Sequence, residues 1–531
     1  MFKKAGVILR TLSQLRLIQL IFQIKNRLNI PSFFFRSLSL KGNIKRLYFF
    51  DYLETSSSFT TKPYQFEFLN KSVLFKNEID WNYKKNGKLW IYNLNYLDFV
   101  TKRDLNLDDV RKVIRSYYNS YTTILDGREA YPTSLRIMNL VKAKNYYDSE
   151  KLNFILKKDI ERLFQSLEYH LMGNHLLENA FALYFAAHLY PSEIRLVNKA
   201  IELLKEQLTE QIMVDGGHFE RSFMYHQIIL GRILDCISLS ENNPNNWNVS
   251  IIEILKNTAE RMLSWLYEVS NNGKIFIRFN DSIEGIAPSA YQLFEFASRL
   301  NISFSTDSNL SDSLFRIIKK KNYLCALNIG NITPSYQPGH SHAETFNFCF
   351  YSNDQPIIIS PGITTYENLK TRKLERSSKM HNTLSIGNYD NNEVWNLFRI
   401  GRRAKVYIHE DNHNQINVSH NGYRNLNIEH QRRWIFKENK MVMIDTIMSQ
   451  TISDSVVNFH FYPDTIIQRT DKLGFNINNV LKIFFETDDT QSNIKTEQYR
   501  YSLGFNNFVL ATKLIIPIKT RLKTTFLYTI Y

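Results

Sequence analysis

Apolar residues recur at helical spacing through the first half of the chain. Ile194, Val197, Ile201, Leu204, Leu208 and Ile212 fall on one helical face after a Pro191-Ser192 start signal. Leu156, Ile160, Leu163, Leu167 and Leu171 do the same one segment earlier. Similar stretches cover roughly 107–118, 134–147, 176–190, 224–240, 251–270 and 288–300, separated by short polar connections. Consecutive helices with short turns predict an antiparallel helical array, and the pattern alone leaves bundle and toroid both open. After about residue 310 the period changes. Val457, Phe459 and Phe461 alternate with Asn458, His460 and Tyr462. Met441–Ile444, Phe508–Ile516 and Thr524–Ile530 are short β-branched or aromatic runs bounded by polar turns. Helical periodicity is absent over the last 200 residues or so. The pattern predicts an all-α part followed by an antiparallel β-sandwich, joined by a linker at Ser305–Ser313.

Length and composition change this picture little. A chain of 531 residues implies two or three domains, and 44% hydrophobic residues exclude wholesale disorder. The 66 basic and 51 acidic residues give a net charge of +15, read as a distributed positive surface without a long Lys/Arg tail. Such a surface suits any polyanion, and equally plain solubility. Cys236, Cys325 and Cys349 form no CxxC pair, so buried apolar cysteines are expected rather than a disulfide framework or a cysteine metal site. The N-terminus, Met1 to Leu28, is apolar and basic, with Arg10, Arg16, Lys25 and Arg27 interrupting every apolar run. No run reaches the ~20 residues of a spanning helix. No clean apolar region ends in a small-residue cleavage site. The segment reads as an amphipathic helix that lies on a membrane surface or docks onto its own protein.

Four polar clusters carry candidate chemistry, while the P-loop, the dinucleotide-binding glycine fingerprint, the nucleophile elbow and the His-Glu-x-x-His motif are absent. The first cluster is Gly173-Asn174-His175, where Asn174 reads as a helix N-cap and His175 as a structural histidine. The second is Asp215-Gly216-Gly217-His218-Phe219-Glu220-Arg221 followed by Met224-Tyr225-His226, a turn unusually rich in ionisable groups. The third is Pro338-Gly339-His340-Ser341-His342-Ala343-Glu344, whose two histidines share one side of an extended segment and suit a metal pair, or a base and a ligand. The fourth runs from Met380-His381-Asn382-Thr383 through Glu393-Val394-Trp395 to Arg399-Ile400-Gly401-Arg402-Arg403, whose last part reads as a basic turn.

Taken together and in this order, the stretches GNHLLENAFALYFAA, DGGHFERSFMYH, PGHSHAETFNF, SPGITTY, MHNTLSIGNYDNNEVWNLFRIGRRA and HQRRWIF resemble the heparinase II/III polysaccharide lyases and the related alginate and oligoalginate lyases. The resemblance runs from about Leu89 to the C-terminus. It implies an incomplete (α/α) toroid over 61–308 and an antiparallel β-sandwich over 309–531, after a basic amphipathic segment at 1–60, with the active site in the cleft between the two folded parts. It also implies β-elimination on a uronic-acid-containing glycan. By motif match, Asn174 neutralises the uronate carboxylate with His175 assisting, and Tyr225 and His340 supply the acid and base. Which of the two takes the proton is left open. Arg221, His226 or His340 would supply positive charge to Tyr225; Arg221, His226, Trp395, Arg399 and Arg402 are the expected substrate contacts, with Arg399, Arg402 and Arg403 equally suited to bracing the domain contact.

No cofactor is expected for the chemistry. A structural divalent ion, zinc or calcium, is implied at His342 and His381, but Ser360 stands where related lyases place an aspartate, with Glu344 or Asp354 as substitutes. The expected partner is an acidic polysaccharide and not nucleic acid; peripheral membrane contact through the N-terminal segment stays open, as does oligomeric state. The family implies export to the bacterial periplasm or envelope, while the N-terminus shows no clear cleavable signal peptide and leaves a cytoplasmic location open. Two other classes compete: a non-catalytic or modifying scaffold in capsule or exopolysaccharide assembly, and a polyanion- or membrane-surface-binding protein.

Overall fold

The computed structural model describes residues 2–28, 37–42, 44–54, 58–61, 64–449, 454–489 and 493–528. Two N-terminal helices, α1 (Phe2–Leu12) and α2 (Leu17–Arg27), precede a small antiparallel sheet of Ser58–Thr61, Tyr64–Phe68 and Lys71–Phe75. The helical array follows: α3 (Lys88–Tyr96), α4 (Leu107–Ser120), α5 (Ala130–Ala143), α6 (Glu150–Gln165), α7 (Gly173–Leu189), α8 (Ile194–Gln211), α9 (Phe223–Asn242), α10 (Val249–Val269) and α11 (Ala290–Arg299). The small sheet is not legible as a separate element in the hydropathy pattern.

The helices start where the sequence offers caps. Asn106 accepts from the Asp108 amide before α4, Ser149 from Leu152 before α6, and Ser222 from Tyr225 before α9. α7 is apolar around almost its whole circumference and buried along its length, which makes it a central helix, packed on α5 and α8. α8 instead carries one apolar stripe, with Val197, Leu204 and Leu208 inward; Ile194, expected on that stripe, is exposed at the first turn. α6 ends at Gln165, so Leu167 and Leu171 belong to the turn that leads into α7 rather than to the helix.

Antiparallel strands dominate the second half. An eight-stranded sheet runs in the order Val406–Asp411, Gln415–Tyr423, Ile428–Lys437, Lys440–Met448, Arg521–Tyr528, Leu481–Thr487, Gly474–Ile477, Ile467–Arg469. One four-stranded sheet contains Lys495–Gly504, Asn507–Ile518, Ser455–His460 and Leu384–Ile386; another contains Phe315–Lys319, Tyr323–Asn328, Phe348–Ser352 and Gln355–Ile358. Phe348, Phe459 and Phe526, one from each sheet, meet with ring centroids 5.8–6.3 Å apart in the shared core. The alternation at 457–462 holds for the apolar residues and for the exposed Tyr462, but not for the other two outward positions. Asn458 and His460 are also buried, bonded to Ser385 and Asn382, because this strand is covered on both faces. Helix is not absent here either: α12 (Leu369–Glu375) interrupts the strands.

The expected linker at Ser305–Ser313 is docked at its far end. Ser313 is fully buried; its amide and hydroxyl donate to Asp215 at 2.7 Å each, and it accepts from the Trp265 indole at 2.9 Å. Arg221, buried and at φ +54°, reaches across to the Asn331 carbonyl (2.7 Å), the Asn328 side chain (2.7 Å) and the Leu314 carbonyl (3.3 Å). These contacts hold the helical array against the first strands of the sheet region. That places the loops on either side in register across a shared cleft.

Candidate active site

A cavity of about 1230 Å³ lies in that cleft, walled by α3, α5, α7 and α9 on one side and by residues 337–340, 366–367, 396–399 and Phe505 on the other. Asn174, His175, Tyr225, His340 and Arg399 all line it.

Asn174 is not the cap of α7. The N-cap is Met172, at φ +60°, and Asn174 is the second helical residue. Its amide nitrogen donates to both oxygens of Glu220 at 2.9 and 3.0 Å, and its backbone N–H adds a third bond at 3.0 Å. Gly173 is required for this approach: it sits at φ +57°, and a Cβ there would lie 2.7 Å from the Glu220 carboxylate. Gly216 is required in the turn before Glu220, where φ is +90° and a Cβ would run into the Arg261 carbonyl. His175 packs against Tyr131 at a tilt, with centroids 4.6 Å apart, and its Nδ1 lies 3.2 Å from Glu168. Burial disfavours the imidazolium, but the Glu168 carboxylate outweighs that, so the His175 pKa rises above its ordinary 6.5.

Tyr225 stands in the first turn of α9, its ring 4.0 Å from the His340 ring and its hydroxyl 3.4 Å from that of Tyr366. Burial, then Tyr366, then the carboxylates of Asp281 and Glu220 push the phenol well above its ordinary 10, so Tyr225 carries its proton. His340 Nδ1 lies 2.9 Å from Asp281, and its Nε2 faces Glu220 at 3.8 Å. Asp281 also meets His342 Nε2 at 2.7 Å and receives two Arg372 nitrogens at 2.5 Å each. Burial opposes its charge, yet Arg372 and the two histidines hold it well below 3.8. An ionised Asp281 fixes the Nδ1–H tautomer of His340 and turns the Nε2 lone pair toward the cavity.

Several expected contacts lie elsewhere. Arg221 is the interdomain brace, stacked on Phe315 at 4.7 Å, and does not line the cavity. His226 is buried 4.3 Å from the Trp265 ring and bonded to the Met262 carbonyl; desolvation drives its pKa down to about 3, so it is neutral and lends Tyr225 no charge. Trp395 donates to Thr11 of α1 at 3.0 Å. Arg402 caps the Asp390 and Asn391 carbonyls, and Arg403 bonds the Ser335 carbonyl; neither reaches the cavity. Sequence reasoning misses Asp281, Arg372 and Glu168, and leaves Glu220 and Tyr366 without roles though both sit inside the family-like stretches. The one signal for Asp281 is its place in Asn280-Asp281-Ser282, a polar stop between Phe279 and Ile283.

His342, Glu344 and His381 form a buried candidate cluster for a divalent ion, one ligand atom from each lying within 4.8 Å of the others. Glu344, not Asp354, takes the substitute position; Asp354 pairs with Asn271 and Lys274. The set is incomplete for a resident ion. His342 Nδ1 and His381 Nε2 face each other at 3.3 Å, but Glu344 lies on the opposite nitrogen of His381, at 3.5 Å. Glu344 already accepts from Asn280, Asn328 and Asn347, and Ser360 accepts from Asn347 at 2.5 Å. Structural zinc sites need four converging ligands, and here two imidazoles converge.

The family model for the heparinase II/III N-terminus matches residues 95–302, and that for the heparinase II/III-like C-terminal region matches 305–529. A heparin-sulfate lyase of Bacteroides thetaiotaomicron is 24% identical over 366 residues, 59% of this chain and 51% of that protein. One of Pedobacter heparinus is 22% identical over 418 residues, 72% of this chain and 59% of that protein. The chain thus spans between half and three-fifths of the length of these curated relatives. The crystal structure of heparinase III superposes with a TM-score of 0.65 at 18% identity, covering 86% of this chain and 80% of that one. That superposition settles the helical array as a toroid followed by a β-sandwich. Two consecutive family models spanning most of the sequence place this chain in the heparinase II/III family.

Proposed function

We propose that the protein is a polysaccharide lyase that cleaves a uronic-acid-containing acidic glycan by β-elimination, with 61–308 and 309–531 supplying the two walls of the active site. The observation that carries this reading is the pairing of Tyr225 and His340, ring to ring at 4.0 Å, opposite Asn174 and His175 in one cavity. The names of the relatives, heparin-sulfate lyases, support an acidic polysaccharide as the substrate class.

A uronate α-proton is weakly acidic because the adjacent carboxylate already carries charge. The His175 imidazolium, its Nδ1 on Glu168, offers its Nε2–H to that carboxylate as an enediolate develops, and the Asn174 amide, held on both oxygens of Glu220, exchanges one of those bonds for the substrate. His340 is the base. Its Nε2 takes the proton from C5, and Asp281 behind Nδ1 stabilises the imidazolium that forms. Tyr225 is the acid. Its high pKa disfavours a phenolate base and suits a phenol that protonates the glycosidic oxygen. The C5–H electrons become the C4–C5 double bond, the C4–O bond breaks, and the leaving oxygen departs as a hydroxyl. Arg399 adds a cation at the cavity wall for a second acidic group. No step needs a metal; the His342–His381 contact braces the Asp281 side of the site by hydrogen bonding.

The test is turnover of a panel of uronate polymers, followed by ultraviolet absorbance of the unsaturated product. A rise with at least one polymer, lost in Tyr225→Phe, is expected; no absorbing product from any of them would overturn the reading.

A further inference from the structure

The N-terminal helices dock by one face only. On that face Thr11, Gln19 and Phe22 are buried. α1 is clipped to the sandwich side by Arg10 to Glu393 (2.7 and 2.9 Å) and by Trp395 to Thr11. α2 is clipped to the toroid by Gln19 to the Leu171 carbonyl (3.3 Å) and by Phe22 on Tyr169, with Arg16 paired to Glu210. The two helices, bent by 116°, therefore strap both walls of the cleft. Leu171 and Asn396–Arg399 line the cavity next to these contacts.

The opposite face has no partner among the described residues. Leu9 and Leu12 of α1, Leu17, Ile21 and Ile24 of α2, and Leu28 just beyond are between 42% and 72% exposed. Their spacing puts them on one side of each helix. Each helix has 11 residues, and no single helix among the described residues is long and apolar enough to cross a membrane. The segment that carries this face is one-sided in charge. Ten of the 66 basic residues and none of the 51 acidic ones precede Asp51, so two-thirds of the net +15 lies in the first 50 residues. The positive charge is thus not distributed as the bulk composition suggested. The next residues, Ile30-Pro31-Ser32-Phe33-Phe34-Phe35-Arg36, continue the apolar-basic composition.

We infer that α1 and α2 form a peripheral anchor for an anionic lipid bilayer, holding the cleft at the membrane surface. An apolar helical face on a segment that carries no acidic residue of its own is complementary to acyl chains beneath anionic headgroups; Arg10 and Arg16 are answered by Glu393 and Glu210, whereas Lys25 and Arg27 lie in the last turn of α2 beside the exposed face. This inference stands apart from the lyase reading, because it rests on the outer face of the helices and not on the cavity.

The experiment is flotation of the full-length protein with vesicles of phosphatidylglycerol and phosphatidylcholine, against vesicles of phosphatidylcholine alone. The wild-type protein should float with the anionic vesicles, at least tenfold more than with neutral ones, and less at high salt. Leu17→Asp/Ile21→Asp/Ile24→Asp, which changes only exposed positions, should abolish flotation while its circular dichroism melt stays that of wild type. Lys25→Glu/Arg27→Glu should weaken it, providing a second reading if the triple variant folds poorly. Failure to float with anionic vesicles would overturn the inference, as would flotation insensitive to both variants. So would a wild-type dimer by light scattering that the triple variant converts to monomer without any vesicle binding, since a second copy would then be the occupant.

Discussion

The chain builds nearly the same cluster twice. In the cleft, Asp281 faces His340 and His342 and holds Arg372 in a two-nitrogen ion pair, and His342 leads on to His381 at 3.3 Å. In the sandwich, Asp445 faces His430 at 2.6 Å and Arg432 at 2.6 and 3.1 Å, and His430 leads on to His420 at 3.2 Å. Residue types and distances agree closely. His342 matches His430, and the difference is a second histidine, His340, that Asp281 holds and Asp445 lacks. His430 and His420 are fully buried against Phe346, whereas His340 keeps 12% of its side chain exposed, beside Tyr225 in the cavity. On the proposed mechanism, an Asp–His–Arg cluster is a brace when enclosed and serves proton transfer when one imidazole nitrogen faces a substrate-sized space.

The largest expected contrast comes from the histidines. His340→Gln should lower kcat by about 10²–10⁴-fold, the usual weight of a general base, with little change in Tm. His430→Gln should do the reverse, lowering Tm while the folded fraction turns over normally. Equal activity loss in both would erase the distinction. The arginines come next. Arg372→Met and Arg432→Met each take the arginine from a buried carboxylate, leaving it only imidazole partners, and should each cost about 3–5 kcal/mol in urea unfolding; only the first should also depress kcat.

A smaller effect follows from pH. The His175 pKa is raised, so its positive charge is present at low pH and lost as pH rises through the folded value. kcat/KM should therefore fall on the alkaline side, and His175→Ala should remove that limb from the profile. The buried neutral histidines work in the opposite direction. With His342 and His218 at about 4 and His226 at about 3, folded pKa values lie below the ordinary 6.5, so stability should fall as pH drops from about 6.5 toward 4. The smallest effect concerns the incomplete cluster at His342, Glu344 and His381: chelation with EDTA should leave Tm and turnover unchanged, and a drop in either would show that an ion is held there after all.

Much of this architecture is legible in the order of residues alone. Period and capping residues find the helices from Leu107 to Arg299, and motif order brings Asn174, His175, Tyr225 and His340 to one cavity. What escapes has a physical reason. Asp281 and Arg372 are far apart in sequence and lie outside the strongest motifs, so nothing local marks their pairing. Arg221 and His226 sit inside a strong motif beside Tyr225, but the turn at φ +54° sends Arg221 away from the cavity and helical rotation sends His226 to Trp265. Trp395 and Arg402 are of the types that exposed sugar contacts often use; here they bind α1 and loop carbonyls instead. The N-terminal segment docks onto its own protein by one face, as one of its two readings had it, and leaves the other face exposed.

The division of labour between His340 as base and Tyr225 as acid is tested most directly by a synthetic uronate whose C4 leaving group needs no protonation, such as an aryl oxide or fluoride. Tyr225→Phe should regain most of its lost turnover on that substrate, while His340→Gln should remain inactive. Recovery by His340→Gln, with Tyr225→Phe still silent, would contradict the assignment.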